Sequence, residues 1–269
     1  MVADRDEIAR IFGQIAVDAG VPIMNFFESD GETRRKSDGS PVTDADVASE
    51  KLILAALALH FPDIPVVSEE AASDGVVPDV GDRFILVDPL DGTREFARRR
   101  TEFAVNIGLI DQGIAVAGAI FAPALGQLWI GGHRAYALSV MPGERLTEAR
   151  DSRRISTRTP PADALKAVAS RSHPDRQTGE FIDRLAIEDR ISAGSSLKFC
   201  LVAEGRADIY PRFGPTMEWD VAAGDAILRA AGGLMVTGTG ARFHYGKEGY
   251  HTGSFIALGD PNLRERVLV

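Results

Sequence analysis

The chain has almost no thiol chemistry: Cys200 is its single cysteine. One cysteine forbids an intrachain disulfide and fits a reducing compartment. Its neighbours Leu197, Phe199, Leu201 and Val202 make it a buried structural thiol rather than a nucleophile. No apolar run is long enough to span a membrane. The start, MVADRDEIAR, lacks the basic region and apolar core of a secretory signal, so a cytoplasmic protein is expected. Positive charge is also short, with 30 Lys and Arg against 39 Asp and Glu and a net charge of −9. That balance argues against a nucleic-acid polymer as partner. It does not exclude a small phosphorylated substrate, because a bound divalent metal reverses the local sign. No internal repeat or low-complexity tract is found. What remains is a globular composition, 45% hydrophobic and 26% charged over 269 residues, enough for one large domain or two coupled ones.

The chain is organised around Phe84–Phe96. Phe84 to Val87 is a short apolar run, read as a buried strand. Asp88-Pro89-Leu90-Asp91-Gly92-Thr93 follows as a turn that ends it: Pro89 lacks an N–H and Gly92 tolerates φ > 0. Two carboxylates three residues apart thus leave the strand end together. Crowded carboxylates repel unless a cation sits between them, and hard cations such as Mg²⁺ take oxygen ligands. The Leu90 carbonyl lies between them as a further oxygen. Gly92 and Thr93 then open a helix whose free N–H groups suit a phosphate. Asp-Gly alone would mark an ordinary solvated turn; six consecutive motif residues argue for a phosphoryl-transfer site. Leu-Asp-Gly-Thr also resembles the haloacid-dehalogenase-type phosphatases, but their nucleophilic aspartate would fall at Pro89.

Before this stretch, the apolar spacing predicts a helix over 6–28, with Gly20 and Pro22 giving a kink or a break near 21. Residues 30–41 read as a loop or a poorly paired hairpin. Thr43 or Asp44 caps a helix to about His60, with Val47, Leu54 and Leu57 inward. Asp46 in its first turn is either a dipole partner or a site residue. Ile64–Glu70 reads as a strand ending in two acids, of which only one can face a common site. Arg98-Arg99-Arg100 is a solvated basic loop. Phe103–Ile110, Ile114–Phe121 and Gln127–Ile130 form an antiparallel meander. The polar stretch 141–154 is the candidate boundary between an N-terminal unit, 1–150, and a C-terminal unit, 151–269. The second half alternates strands (Ala167–Ser170, Arg190–Ala193, Ala207–Phe213, Leu234–Thr237, Phe255–Leu258) with helices (Gln177–Leu185, Ser195 to about Glu204, Asp220–Ala231). This is an α/β pattern. The last of those helices is lined with alanine and can pack closely, with Asp220 at its start facing a cleft or acting as a simple N-cap.

Asp46, Glu69, Asp88, Asp91 and Asp220 each fall at the edge of a regular element. With Asp88–Thr93 and Trp219–Gly224 they resemble the inositol monophosphatase superfamily of metal-dependent phosphomonoesterases. Asp88–Phe96, Ser170–His173, Gly194–Gly205 and Tyr210–Thr216 look like the CysQ-type 3′(2′),5′-bisphosphate nucleotidases within it. Inositol-specific members usually carry Thr-Asn-Phe after Asp-Gly-Thr, which is absent here. Arg94 stands where many bisphosphate nucleotidases have Lys. Nothing carries over to the Gly-rich stretch 239–254.

The resemblance implies a layered α-β-α-β-α fold and a site for two or three Mg²⁺, sensitive to Li⁺. Glu69, Asp88, the Leu90 carbonyl, Asp91 and Asp220 become metal ligands. Asp46 and Thr93, assisted by Glu69, orient and deprotonate the attacking water. Gly92 and Thr93 hold the scissile phosphate. His173, Ser195, Lys198 and Arg212 seat the rest of the substrate, with Ser195 and Lys198 on one helix face. The implied substrate is a small nucleotide, adenosine 3′,5′-bisphosphate. An inositol- or sugar-phosphate phosphatase on the same fold is the enzymatic alternative, and a non-catalytic metal-binding regulator the other. Peripheral association with the inner membrane face and the oligomeric state stay open.

Overall fold

Asp4 caps the first helix, α1 (Arg5–Glu28), by accepting the Asp6 N–H at 3.4 Å. The computed structural model describes residues 4–29, 33–35, 41–161, 164–171, 175–185 and 187–268. Ile8, Phe12, Ile15, Ala19 and Ile23 form the buried stripe of α1. The helix continues through Gly20 and Pro22 without a break. Gly20 instead gives room: a Cβ there would lie 2.5 Å from the Phe121 ring.

β1 (Thr33–Arg35) and β2 (Pro41–Thr43) pair antiparallel, so the hairpin alternative holds. α2 (Asp44–His60) follows at the expected place, with Leu57 inward as expected and Val47 not. Ala45, Asp46, Ser49, Ile53 and Leu57 are buried, Leu54 is half-buried, and Val47 is 55% exposed. β3 (Val66–Ser68) ends sooner than expected, and Glu69 and Glu70 open α3 (Glu69–Ser73). β4 (Arg83–Asp91) runs on through Pro89, where a turn was expected. It does so by slipping register against its neighbour between Asp88 and Asp91, the kind of irregularity where a strand tolerates proline. α4 (Thr93–Ala97) follows.

The meander β5 (Ala104–Asp111), β6 (Ile114–Ala122) and β7 (Gln127–Gly131) is joined by β8 (Ala135–Ser139) and β9 (Arg150–Ile155). Together they make a seven-stranded sheet in the order β3-β4-β5-β6-β7-β8-β9, antiparallel except for β3 beside β4. β9 carries exposed Arg150, Arg153 and Arg154 on a sheet edge, where charge is ordinary. The rest comprises β10 (Leu165–Ser170), α5 (Arg176–Asp183), β11 (Ile187–Ala193), α6 (Leu197–Ala203), β12 (Ile209–Arg212), α7 (Ala222–Ala230), β13 (Leu234–Thr237), β14 (Phe255–Leu258) and α8 (Leu263–Val267). Its five strands run β11-β10-β12-β14-β13.

Five layers result. α1 and α2 cover one face of the large sheet, through a core including Phe12, Ile53, Val87 and Phe121. α6 and α7 fill the space between the sheets. α5 and α8 cover the far face of the small sheet. Gly108, Gly118 and Gly131 are in register across β5, β6 and β7 and receive the small residues of α7. A Cβ on Gly118 would lie 2.7 Å from the Ala223 carbonyl. This close approach brings the segment before α7, with Asp220, over the large sheet.

Candidate active site

Asp88 sits near the end of β4, 1% exposed, and accepts the Leu90 N–H at 3.0 Å. Two residues further, Gly92 has φ 95°, and a Cβ there would meet the Glu102 carbonyl at 3.0 Å. Both backbone and space therefore require glycine. Thr93 starts α4 and its hydroxyl donates to the Leu90 carbonyl at 3.2 Å. Glu69 enters from the start of α3, and Asp220 from the turn before α7. Oxygens of Glu69, Asp88 and Asp220 lie within 4.8 Å of one another.

Asp91 faces the same cleft, where its Oδ2 accepts from the Ser195 hydroxyl at 2.6 Å, the Ser196 N–H and, at 3.4 Å, Asn106. Asn106, buried on β5, in turn accepts from the Ser196 hydroxyl at 2.7 Å. Asp46 is 2% exposed in the first turn of α2. One turn along, the Ser49 hydroxyl donates to the Pro89 carbonyl at 3.1 Å, tying α2 to the Asp88–Asp91 segment.

A cleft of about 250 Å³ gathers most of these residues. Glu69, Asp88, Leu90, Asp91, Gly92, Thr93, Ser195, Lys198, Arg212 and Asp220 all line it. His173 lies outside the described residues. One detail of the expectation is corrected. α6 begins at Leu197, and Ser195 stands before it at φ 55°, so Ser195 and Lys198 do not share a helix face. They meet differently: the Lys198 ammonium donates to the Ser195 carbonyl and lies 5.3 Å from the Tyr210 ring centre. Lys198 is 2% exposed, unusual for lysine. Arg212 donates to the Pro215 carbonyl at 2.8 Å. Burial opposes its charge, but Tyr210, Asp220 and Asp91 outweigh burial and raise its pKa.

Asn106, Ser196 and Thr216, which the sequence alone does not assign to the site, also bond to the carboxylates of this cleft. Asn106 carries one legible signal, an amide inside the apolar run Phe103–Ile110. Thr216 is legible only once its hydroxyl is seen donating to Asp220.

The electrostatics suit a cation. Burial pushes the Asp88 carboxyl well above its ordinary range, and Glu69, Asp91 and Asp220 push it further. Burial, then Asp91 and Glu69, raises Asp220 from 3.8 to about 7. An all-oxygen, anionic donor set of this kind fits a hard divalent ion.

Between 3.8 and about 7 the folded chain keeps a proton on Asp220 that the unfolded chain releases. This contribution to stability is present at low pH and is lost as pH rises to neutrality. Melting of wild type in chelator should therefore fall relative to Asp220→Asn over that window. Parallel curves for the two proteins would refute the assignment.

The sequence profile of the inositol monophosphatase family matches residues 4–268. The chain belongs to the inositol monophosphatase family. Within it, the 3′(2′),5′-bisphosphate nucleotidase CysQ of Salmonella typhimurium is 45% identical over 221 residues, covering 81% of this chain and 86% of that protein. The same enzyme of Escherichia coli K12 is 42% identical with the same coverage. The crystal structure of CysQ from Bacteroides thetaiotaomicron superposes with a TM-score of 0.79 at 37% identity, over 94% of this chain and 97% of that one. An inositol monophosphatase from Anabaena superposes at 0.75 with 26% identity, over 97% and 94%. The inositol monophosphatase family is metal-dependent, in agreement with the acidic cluster.

Proposed function

We propose that this enzyme is a 3′(2′),5′-bisphosphate nucleotidase that hydrolyses adenosine 3′,5′-bisphosphate to AMP and phosphate. The observation that carries the reading is one cleft with two poles. Glu69, Asp88, Asp91 and Asp220 form an anionic pole, and Lys198 with Arg212 a cationic one. A monophosphate needs only the first; a bisphosphate uses both. In this reading Glu69, Asp88, the Leu90 carbonyl, Asp91 and Asp220 hold two or three Mg²⁺. Bound there, Mg²⁺ supplies charge against the transferring phosphoryl group and makes water more acidic. The N–H groups of Gly92 and Thr93 seat the scissile phosphate. Asp46 and Thr93 orient the attacking water and take its proton, with Glu69 assisting. Ser195 and His173 help seat the nucleoside and phosphate.

Residues 1–150 supply Asp46 through Thr93, and 151–269 supply the cationic pole and Asp220; we read these as two subdomains, with β9 (Arg150–Ile155) crossing the boundary to complete the large sheet. Among the described residues no helix is long and apolar enough to cross a membrane, and we assign the enzyme to the cytoplasm.

Phosphate release from adenosine 3′,5′-bisphosphate, inositol 1-phosphate and fructose 1,6-bisphosphate, each with Mg²⁺, tests the substrate. Preference for either of the last two would overturn it. Within the reading, Lys198 and Arg212 hold the non-scissile 5′-phosphate. Losing a charge-assisted contact costs ~1.5–3 kcal/mol. Lys198→Ala and Arg212→Ala should thus lower bisphosphate turnover roughly ten- to a hundred-fold. Hydrolysis of adenosine 3′-monophosphate, which has only the scissile group, should hardly change. Equal losses on both substrates would place these residues in support of the fold or the anionic pole.

A further inference from the structure

Asp220 differs from the other carboxylates of the cluster in its support. Asp88 lies on a paired strand and Glu69 directly follows one. Asp220 lies in the irregular segment Thr216–Val221, before α7 begins. Carboxylates that repel one another stay together only if each is tied down. The Thr216 hydroxyl and, at 3.0 Å, the Met217 N–H both donate to Asp220 Oδ2.

That segment is itself tied to the Gly-rich stretch near the C-terminus. The Thr252 N–H and hydroxyl both donate to the Thr216 carbonyl, at 3.1 and 3.0 Å. Met217 and His251 form an antiparallel bridge, and the Glu218 N–H donates to the Tyr250 carbonyl at 2.8 Å. The Glu218 carboxylate, fully buried, accepts the Lys247 ammonium at 2.6 Å and the N–H groups of Gly246 and Lys247 at 2.8 and 3.2 Å. The ammonium also lies 4.3 Å from the Phe243 ring centre. Tyr250 adopts φ 57°, a left-handed conformation unfavourable to an aromatic residue. Held there, its ring packs near both Phe84 of β4 and Trp219, with ring centres 6.3 and 6.1 Å away. The stretch therefore lies beside both the strand that carries Asp88 and the segment that carries Asp220.

We propose that residues 244–252 are a strap that fixes the Asp220 carboxylate in its cation-binding position. Thr252 and Lys247 are positioning residues, acting through Thr216 and Glu218. The inference rests on Asp220 as a cation ligand. Groups that orient a ligand typically change metal affinity ten- to a hundred-fold when removed.

The test is Mg²⁺ affinity without substrate, read from the rise in melting temperature as Mg²⁺ is titrated into chelator-treated full-length protein. Thr252→Val and Lys247→Met should weaken affinity about ten-fold, while turnover at saturating Mg²⁺ stays near wild type. Lys247→Arg and Thr252→Ser should restore affinity. Leu263→Ala, a core truncation in α8, should lower melting without moving affinity. Wild-type affinity in Thr252→Val and Lys247→Met, with affinity lost in Asp220→Asn, would overturn the strap alone. Unchanged affinity in Asp220→Asn would overturn the ligand reading beneath it. Equal loss in Leu263→Ala would reduce the strap to general stability. If Lys247→Met does not fold, Thr252→Val decides.

Discussion

Asp88→Asn is expected to fold, to melt above wild type in excess chelator, and to release phosphate at less than about one hundredth of the wild-type rate. The two halves of that result have one cause. The Asp88 carboxyl is buried beside Glu69, Asp91 and Asp220, and all three raise its pKa on top of burial. Asparagine keeps the shape and an oxygen for the Leu90 N–H, now at 3.0 Å, and removes the charge. Without a cation, the substitution relieves repulsion and the folded state gains. With substrate, the same change should weaken the proposed cation site, which would gather positive charge against the phosphoryl group. That charge is worth several kcal/mol in the transition state, and each 1.36 kcal/mol is ten-fold in rate. Melting curves with and without Mg²⁺, beside phosphate-release rates, measure both halves. Turnover close to wild type in Asp88→Asn, or full wild-type activity in excess chelator, would defeat the reading of this cluster as a cation site.

The Asp88–Gly92 part of the site was legible because its requirements are local, whereas Glu69 and Asp220, which come from other elements, were assigned to it only through the family resemblance. Asp88, Leu90 and Asp91 share one short segment, and Gly92 is demanded by its own backbone. The strand through Pro89 was not legible, since its register slip depends on the partner β5. The face of α2 was misjudged for a different reason. Apolar periodicity points inward, but here Asp46 and Ser49 are buried toward the β4 segment while Val47 faces out. The departure is confined to the start of the helix, since Ala45, Ile53 and Leu57 keep the usual apolar inner face. β9 hid behind its arginines, because an edge strand need not alternate. The strap was invisible in sequence: Thr252 meets Thr216 across 36 positions, and nothing in a Gly-rich run announces that contact.

Asp46→Asn and Thr93→Ala are each expected to lower turnover by ~10²–10⁴-fold, the usual worth of a positioned general base, with little change in KM. Asp46 is buried where α2 meets the Asp88–Asp91 segment, and Ser49 fastens that junction to the Pro89 carbonyl. Thr93 begins α4 and lines the cleft, whose lining does not include Asp46. No His, Ser or Cys of this chain stands in a nucleophile motif, and in the proposed mechanism the attacking group is water, which needs orientation and a proton acceptor. If the two residues act as a unit, the double variant should be no slower than the worse single one. Thr93 also donates to the Leu90 carbonyl at 3.2 Å, so Thr93→Ala alone could disturb a cation ligand. Thr93→Ser separates the two roles: it keeps a hydroxyl and should retain most turnover. Mg²⁺ affinity measured without substrate should be the same in Thr93→Ala and Thr93→Ser if the hydroxyl serves the water. Multiplicative losses in the double variant would refute the pairing, and a phosphoryl group trapped covalently on Asp91 or any other side chain would refute attack by water.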